Sequence, residues 1–322
     1  MKLVKGRAGI RPLIEAKGLS KYFDDFLAVD RIDLEVYPGE ILALLGPNGA
    51  GKTTTIRLLA SILKPSTGWT KIDGVDVLSH PAETRAKMGI LTEHHGLYSR
   101  MRAIEYLAFF GEAYGLSREV ISVNTERLLK QYGLEEVSGK RLGEYSKGMR
   151  QKLALARALL HDPSIVLLDE PTSAMDPASA KQVRESIRGL KSSSRAIIIC
   201  THNLNEAEYL SDKIAIMSDG KIISSGTFSE LRRKLLGKPV VELRYKGSDQ
   251  LVKNLIHESY DVSYWEPGFV LFRSENPDAD NPRILDQLYQ AGVVVLSIAE
   301  KSRSLEEIYL QVVHDNGSGQ NR

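Results

Sequence analysis

The chain has 322 residues, of which 42% are hydrophobic and 26% charged, with a formal net charge of +2. This length accommodates one large core and a smaller second domain, and the near-neutral charge gives no electrostatic reason to expect nucleic acid as a partner. The single cysteine, Cys200, excludes an internal disulfide and a cysteine-framed metal centre. No apolar run approaches the roughly 18 residues that would indicate a membrane span, so any membrane-embedded part is expected to come from a partner.

Strand patterns around a glycine-rich loop dominate the first part of the chain. Alternation from Leu13 to about Val36 predicts an antiparallel strand pair, and the run Ile41–Leu45 predicts a buried strand. A helix is expected from about Lys52 to Leu63, and the segment TKIDGVDV predicts a hairpin. The pattern then becomes helical and more polar, which indicates an inserted helical subdomain over about residues 97–150.

Short apolar runs in the rest of the chain predict more strands and a second domain. Ile165–Leu168 and Ala196–Cys200 are expected to be parallel strands, each preceded by a helix, and the segments KIAIM and GKIISSG a closing hairpin. The order β-α-β-β-α-β then follows, and SLEEIYLQVV is predicted as the final helix. We therefore predict an α/β domain at 1–235, a small ferredoxin-like α+β domain at 240–314 and a disordered tail at 315–322.

The segment GPNGAGKTT matches the phosphate-binding pattern G-x-x-x-x-G-K-[ST], with a predicted buried strand before it and a helix after it. Its glycines allow backbone N–H groups to turn inward around an anion, and the helix N-terminus adds partial positive charge. Lys52 is expected to reach the β- and γ-phosphates of a nucleotide, and the Thr53 hydroxyl to ligate Mg²⁺. The predicted nucleotide-binding residues of this loop are Gly46, Pro47, Asn48, Gly49, Ala50, Gly51, Lys52, Thr53 and Thr54.

A nucleotide hydrolase needs a second metal anchor and a group that activates water, and the segment SIVLLDEP supplies both. Asp169 ends the predicted strand, where its carboxylate is placed to hold the Mg²⁺ shell. Glu170 follows it and is predicted to be the general base that polarises the attacking water.

The segment EYSKGMRQKLALARALLHDP lies between these two motifs and predicts an amphipathic helix with Ser146 as its N-cap. The ordered set of the phosphate loop, YSKGMRQ, IVLLDEP, TSAMD and CTH resembles the nucleotide-binding domain of the ABC transporter ATPases, over roughly Leu13 to Leu235. The resemblance implies a P-loop NTPase core with a parallel sheet, an antiparallel β subdomain and the inserted helical subdomain. It also implies ATP and Mg²⁺ as cofactors.

The segment YSKGM occupies the place of the family signature LSGGQ; Ser146 and Gly148 match it, whereas Tyr145, Lys147 and Met149 depart from it. In the family this loop caps the γ-phosphate of ATP held by the other subunit. The resemblance therefore implies a head-to-tail dimer, either a homodimer or a heterodimer with a similar ATPase. A serine hydroxyl at a helix N-terminus is physically suited to such an anion cap.

Four further positions take roles from the resemblance. Ser173 and Asp176, in the segment SAMD, resemble the loop that crosses the dimer interface, and His202 resembles the histidine that contacts the γ-phosphate. Phe23 resembles the aromatic residue that stacks on adenine, with Tyr22 as the alternative. Stacking alone would leave base selectivity modest.

Glu93 stands where the family normally carries a glutamine that senses the γ-phosphate and Mg²⁺. A carboxylate can ligate Mg²⁺, but it adds negative charge beside a triphosphate. His94 and His95 follow directly, which raises the alternative of a zinc site. We do not favour zinc, since adjacent side chains diverge and no third or fourth ligand lies at metal spacing.

The segments TEHHGLY and YSKGM, together with the appended C-terminal domain, resemble the stand-alone ATPases of ABC-2-type exporters. This implies a cytoplasmic ATPase subunit, held at the inner face of the cell membrane by a separate integral membrane permease. An importer ATPase is one alternative, although importers typically keep the glutamine. The other is a non-transport ATPase acting on ribosomes or DNA, whose members usually carry two such domains or long coiled coils.

Overall fold

The computed structural model describes residues 10–92, 96–173, 175–301 and 309. The chain divides into two compact units, Met1–Phe228 and Ser229–Arg322. The predicted domain limits of 1–235 and 240–314 place the division farther along the chain and stay predictions. Within the described ranges, no helix has the length and apolar character needed to cross a bilayer.

The described strands of the first unit form two sheets. In chain order they are β1 (Ile14–Phe23), β2 (Phe26–Val36), β3 (Ile41–Leu45), β4 (Thr67–Ile72), β5 (Val75–Asp76), β6 (Met88–Leu91), β7 (Ile165–Asp169), β8 (Ala196–Thr201), β9 (Lys213–Ser218) and β10 (Lys221–Gly226). The smaller sheet has the order β2-β1-β4-β5 and is antiparallel throughout. The predicted antiparallel strand pair and the hairpin that follows the phosphate loop are therefore confirmed.

The larger sheet has the order β10-β9-β3-β8-β7-β6. All its neighbours are parallel except β9 and β10, which form the predicted closing hairpin. β3, β7 and β8 are buried along their whole length, which explains why each is a continuous apolar run in the sequence. Because these strands run in the same direction, their carboxyl ends meet at one edge of the sheet. Ligands bind at this edge in open α/β sheets.

Helices cover the two faces of this sheet and build the helical region between β6 and β7. They are α1 (Lys52–Leu59), α2 (Pro81–Ala86), α3 (Ala103–Ala113), α4 (Arg118–Gln131), α5 (Lys147–Ala158), α6 (Pro177–Gly189) and α7 (Leu204–Leu210). A further helix, α8 (Phe228–Leu236), begins at the last residue of the first unit and continues into the second. The helix predicted to run to Leu63 ends at Leu59, because Ser61 takes a positive φ of 53°. The helical region predicted from residue 97 extends through α5 to Ala158.

The second unit has the predicted order β-α-β-β-α-β. Its elements are β11 (Val240–Lys246), α9 (Asp249–His257), β12 (Asp261–Glu266), β13 (Phe269–Arg273), α10 (Pro277–Gln290) and β14 (Val294–Glu300). The sheet order is β12-β13-β11-β14, with every pair antiparallel. The predicted ferredoxin-like arrangement is thus confirmed. The predicted final helix and the tail at 315–322 lie outside the described residues, apart from Tyr309.

Candidate functional site

The predicted phosphate loop connects β3 to α1 at the carboxyl edge of the larger sheet. Two of its glycines have no room for a side chain: a Cβ on Gly46 would lie 2.4 Å from the Met217 carbonyl oxygen, and one on Gly51 would lie 2.6 Å from that of Ala28. Gly51 also has a φ of 96° and is the N-cap of α1. The loop is thus packed tightly against the neighbouring backbone, while Pro47, Asn48 and Gly49 are exposed at its crest.

The Lys52 side chain folds back across this loop. It is only 6% exposed, and its Nζ donates hydrogen bonds to the carbonyl oxygens of Gly46 (2.8 Å) and Pro47 (3.0 Å). The ammonium group therefore lies at the centre of the loop, where it adds to the partial positive charge of the α1 N-terminus. Thr53 and Thr54 follow in the first turn of α1 and are partly exposed. The arrangement suits a polyphosphate anion.

Two carboxylates end β7 beside this loop. Asp169 is almost fully buried, and its strand position is paired with Cys200 of β8. Glu170 takes a left-handed backbone conformation with φ 50°, and its N–H donates to the Cys200 carbonyl oxygen (2.9 Å). The Asp169 side chain is thus enclosed in the core, whereas 16% of the Glu170 side chain is exposed.

Glu170 is the point at which three predicted catalytic residues meet. Its Oε1 lies 2.9 Å from Nδ1 of His202 and 3.8 Å from Nζ of Lys52. His202 directly follows β8, and 56% of its side chain is exposed. Glu170 and His202 directly follow β7 and β8, Lys52 begins α1 after the loop that follows β3, and the parallel strand order brings the three together. A carboxylate held between an imidazole and an ammonium group can accept a proton and pass it on.

The side chains at this edge fit a magnesium ion by their chemistry. Thr53 supplies a hydroxyl and Asp169 a carboxylate, and such hard oxygen donors are the ligands that Mg²⁺ prefers. The residues that the structure describes contain no group of three or more His, Cys, Asp or Glu suited to a metal ion. Mg²⁺ typically takes one or two protein carboxylates together with substrate phosphates. Glu93, the third predicted metal ligand, lies outside the described residues with His94 and His95.

The predicted signature segment forms the start of α5. The Ser146 Oγ accepts a hydrogen bond from the Met149 N–H (3.2 Å), which confirms the predicted N-cap. Ser146 and Lys147 are exposed, and Gly148 is partly exposed. The Tyr145 ring is buried instead, and its hydroxyl donates to the Val137 carbonyl oxygen (2.9 Å).

Gln151, for which the sequence predicted no role, links α5 to the segment that follows β7. Its Nε2 donates to the carbonyl oxygens of Glu170 and Pro171, each at 3.1 Å. The side chain is buried, so these two bonds fix the backbone on which Glu170 turns. Its place in the segment YSKGMRQ was visible in the sequence, but its partners, about twenty residues away, were not.

The segment after Glu170 is held by local hydrogen bonds. The Ser173 N–H donates to the Glu170 carbonyl oxygen (3.1 Å). The Asp176 Oδ1 accepts from the Ser179 N–H (3.0 Å) and caps α6, and these bonds lower the pKa of its carboxyl. Ser173 and Asp176 are both exposed, as an interface role would need, although Asp176 has a sufficient structural role as a cap.

Glu206 is a second residue that sequence analysis missed. Its carboxylate is only 2% exposed and accepts hydrogen bonds from the hydroxyls of Thr172 and Thr201, both at 2.6 Å. Burial raises the pKa of this carboxyl, and the two hydroxyl bonds oppose that shift. Nothing in the run NLNEAEYL distinguishes this acid from its exposed neighbour Glu208.

Phe23 ends β1 and is 43% exposed, with the Lys21 Nζ 5.2 Å from its ring centroid. The hairpin that carries it continues into β2, whose Ala28 packs against Gly51 of the phosphate loop. Tyr22, the alternative, is exposed as well. Stacking on adenine by either ring stays a prediction.

Several family descriptions match the chain, and two of them cover different parts of it. The family described as "ABC transporter" matches residues 29–173, which hold the phosphate loop, the signature segment and both β7 carboxylates. The family described as "ATP-binding protein DrrA1-3-like, C-terminal domain" matches residues 226–313.

Curated relatives extend this similarity to nearly the whole chain. The ABC transporter ATP-binding protein YxlF of Bacillus subtilis is 37% identical over 94% of this chain and 100% of its own length. The daunorubicin/doxorubicin resistance ATP-binding protein DrrA of Streptomyces peucetius is 33% identical over 92% of this chain and 91% of its own length. The ABC transporter ATP-binding protein NatA of Bacillus subtilis is 42% identical over 63% of this chain and 83% of its own length.

Solved structures show the same fold. The ATP-binding subunit of an ABC transporter matches with a TM-score of 0.66 and 30% identity, over 70% of this chain and 94% of its own. The cassette MJ0796, solved as a dimer bound to ADP and Pi, matches with a TM-score of 0.62 and 24% identity, over 66% of this chain and 98% of its own. The shared motifs, relatives and fold show that the chain belongs to the ABC transporter ATP-binding proteins.

Proposed function

We propose that this chain hydrolyses ATP at the carboxyl edge of its larger sheet and thereby powers export through a separate membrane permease. The observation that carries the proposal is the position of Glu170, whose Oε1 lies 2.9 Å from His202 Nδ1 and 3.8 Å from Lys52 Nζ. A base, a histidine and a phosphate-binding lysine thus meet beside a loop built for anions. This combination serves phosphoryl transfer to water.

The phosphate loop binds the triphosphate through the backbone N–H groups of Gly49 to Thr53 and the N-terminus of α1. Lys52 exchanges its bonds to the Gly46 and Pro47 carbonyls for bonds to the β- and γ-phosphates. Phe23 contributes stacking on the adenine ring. Since none of these contacts reads the base edge, we expect modest discrimination between purine nucleotides.

Glu170 accepts the proton of the water that attacks the γ-phosphate, and His202 orients Glu170 and the γ-phosphate through its two ring nitrogens. Thr53 and Asp169 would hold Mg²⁺, with Glu93 proposed as an additional ligand. When bound, Mg²⁺ neutralises charge on the phosphate oxygens. The residues of this chain hold the general base, Glu170, beside the phosphate loop.

A second subunit completes the site in this proposal. The exposed N-terminus of α5, with Ser146, Lys147 and Gly148, caps the γ-phosphate held by the phosphate loop of its partner. Tyr145 and Met149 support this loop from the core side. Ser173 and Asp176 lie in the adjoining interface. The dimer is either a homodimer or a heterodimer with a similar ATPase; the MJ0796 cassette, which has a similar fold, was itself solved as a dimer.

Export, rather than uptake, is supported by the relatives. DrrA is described as a drug-resistance ATP-binding protein, and the C-terminal unit matches the DrrA-like family. We infer a subunit on the cytoplasmic face of the membrane, held there by an integral membrane permease, with no nucleic acid partner.

Lys52→Ala tests the site directly. Loss of the ammonium group should weaken MgATP binding and hydrolysis together, each by about tenfold or more. Equilibrium titration with ATP and phosphate release should be measured for the purified chain, alone and with its permease. Lys181→Ala, on the exposed face of α6, is the matched control. A wild-type chain that neither binds nor hydrolyses ATP in either setting would refute the proposed function.

A further inference from the structure

Glu206 is a buried carboxylate that the proposed chemistry does not use. It lies in the first turn of α7 and is 2% exposed. One carboxylate oxygen, Oε1, accepts the Thr172 hydroxyl, and the other, Oε2, accepts the Thr201 hydroxyl, both at 2.6 Å. Such short bonds to a charged acceptor are among the stronger hydrogen bonds in a protein.

The two threonines belong to the two segments that carry the catalytic pair. Thr172 lies two residues after Glu170, and Thr201 directly precedes His202. The Glu206 carboxylate therefore links the segment after β7 to the end of β8, behind the 2.9 Å contact between Glu170 and His202.

Asn203 closes the same network from the other side. Its N–H donates to the Thr201 hydroxyl oxygen (3.0 Å), and its side-chain oxygen accepts the Glu206 N–H (3.1 Å). The Thr201 hydroxyl is thus a donor to Glu206 and an acceptor from Asn203, which leaves its orientation fully determined. The chain on both sides of His202 is fixed by these bonds.

We propose that Glu206 is a positioning residue for ATP hydrolysis, a carboxylate that bridges Thr172 and Thr201 and so fixes His202 against Glu170. The inference rests on the proposed ATPase function. A carboxylate suits this place because two hydroxyls can donate to its two oxygens at once. The Glu170 backbone has an unfavourable φ, so this segment needs bonds that hold it in place.

The bridge has a distinctive energetic signature. If one carboxylate must hold both segments, then removing either hydroxyl breaks the link, and removing the second adds little. Thr172→Val and Thr201→Val keep the side-chain shape and remove only the hydroxyl. We expect each variant to lower kcat by about tenfold, since small displacements of catalytic groups are costly, and the double variant to lie within about threefold of the singles.

The ATP dissociation constant should stay within about twofold of the wild type in all three variants, because the phosphate loop is not part of the bridge. Glu206→Ala should lose kcat to the same extent. Glu206→Gln should keep most of it, since an amide can accept one hydroxyl and donate to the other. A side chain that only stabilised the fold would not separate kcat from ATP affinity in this way.

Glu40→Ala is the matched control for Glu206→Ala. Glu40 is also a buried glutamate with two partners, the Tyr37 N–H (3.0 Å) and the Lys213 ammonium (2.8 Å), but it directly precedes β3, at the edge opposite the site. It should lose thermal stability without a comparable loss of kcat per folded molecule.

Phosphate release and ATP titration on the full chain decide between the outcomes. The proposal is overturned if the wild type hydrolyses ATP and the valine variants keep kcat within about twofold, or if their losses multiply in the double variant. It is also overturned if Glu40→Ala loses as much kcat as Glu206→Ala. Absence of ATP binding and hydrolysis in the wild type would instead refute the ATPase function itself.

Discussion

Glu170 combines a strained backbone with a predicted catalytic side chain. Its φ of 50° is uncommon outside glycine and costs on the order of 1–3 kcal/mol. The surrounding hydrogen bonds offset this cost: its N–H donates to Cys200, and its carbonyl oxygen accepts from Gln151 and Ser173. Such strain concentrates at functional sites, since the turn aims the carboxylate at His202 and Lys52.

Gly46 is a single residue whose lack of a side chain should matter for both stability and ATP binding. A methyl group at this position would lie 2.4 Å from the Met217 carbonyl oxygen, so Gly46→Ala must displace the phosphate loop or β9. We expect a loss of about 1–3 kcal/mol in the free energy of unfolding, together with weaker ATP binding. Urea denaturation and ATP titration measure the two effects.

Gly189→Ala is the control, because a Cβ at Gly189 meets nothing within 4 Å and its φ is not positive. It should leave stability unchanged or raise it by up to about 1 kcal/mol, since alanine is the better helix former. Equal effects of the two substitutions would contradict the tight packing of the loop.

The strands of the larger sheet show how far the sequence determines the elements. β3, β7 and β8 were predicted because strands buried on both faces are short continuous apolar runs. β6 escaped prediction because it has only four residues and contains Gly89. A Cβ at Gly89 would lie 2.1 Å from the Ala158 carbonyl oxygen. Close packing against α5 therefore requires glycine at this position, and a local sequence pattern does not reveal that contact.

The candidate site likewise contains residues that the sequence predicts and residues that it does not. The loop, Asp169, Glu170 and His202 were predicted as an ordered set of motifs, and the parallel strand order explains why they converge. Gln151 and Glu206 were not predicted, because each bonds to the segment after β7, 19 to 34 residues away in the sequence, and their roles depend on burial that no local pattern encodes.

His161 packs between α3 and β6 and should make the stability of the fold depend on pH. Its ring stacks on Tyr114 at the end of α3, with centroids 3.8 Å apart, and its Nε2 lies 3.1 Å from the Met88 carbonyl oxygen of β6. Burial lowers the pKa of this imidazole below its unfolded value of about 6.5. The unfolded chain therefore binds more protons than the folded chain as pH falls below that value, so acidification should reduce stability.

Denaturation at a series of pH values between about 7.5 and 5.5 measures this dependence. His161→Gln keeps a donor for Met88 and removes the titration, so the stability of this variant should fall less steeply with acid. His80→Gln, at an exposed position, is the control. Identical slopes for His161→Gln and the wild type would show that another group governs acid destabilisation.

The whole molecule contains one tryptophan in each unit, Trp69 in β4 and Trp265 in β12. Because each unit has its own apolar core, we expect two unfolding transitions that the two residues report separately. Trp265→Phe leaves the first unit as the fluorescent reporter, and Trp69→Phe leaves the second.

ATP binds only the folded first unit in this account, so MgATP should stabilise the transition seen by Trp69 alone. At about 100 times the dissociation constant, the gain is about 2.7 kcal/mol. Equal shifts of both transitions would contradict independent units. A shift of the Trp265 transition alone would place the nucleotide in the wrong unit.

The central claim is that Glu170 is the general base of an ATPase site. Glu170→Gln keeps the shape of the side chain and removes its capacity to take a proton from water, while every residue of the phosphate loop is retained. Steady-state phosphate release should fall by about 10²–10⁴-fold, with the ATP dissociation constant changed by less than about threefold. Glu185→Gln, on the exposed face of α6, should match the wild type. Near-normal turnover in Glu170→Gln would contradict the account.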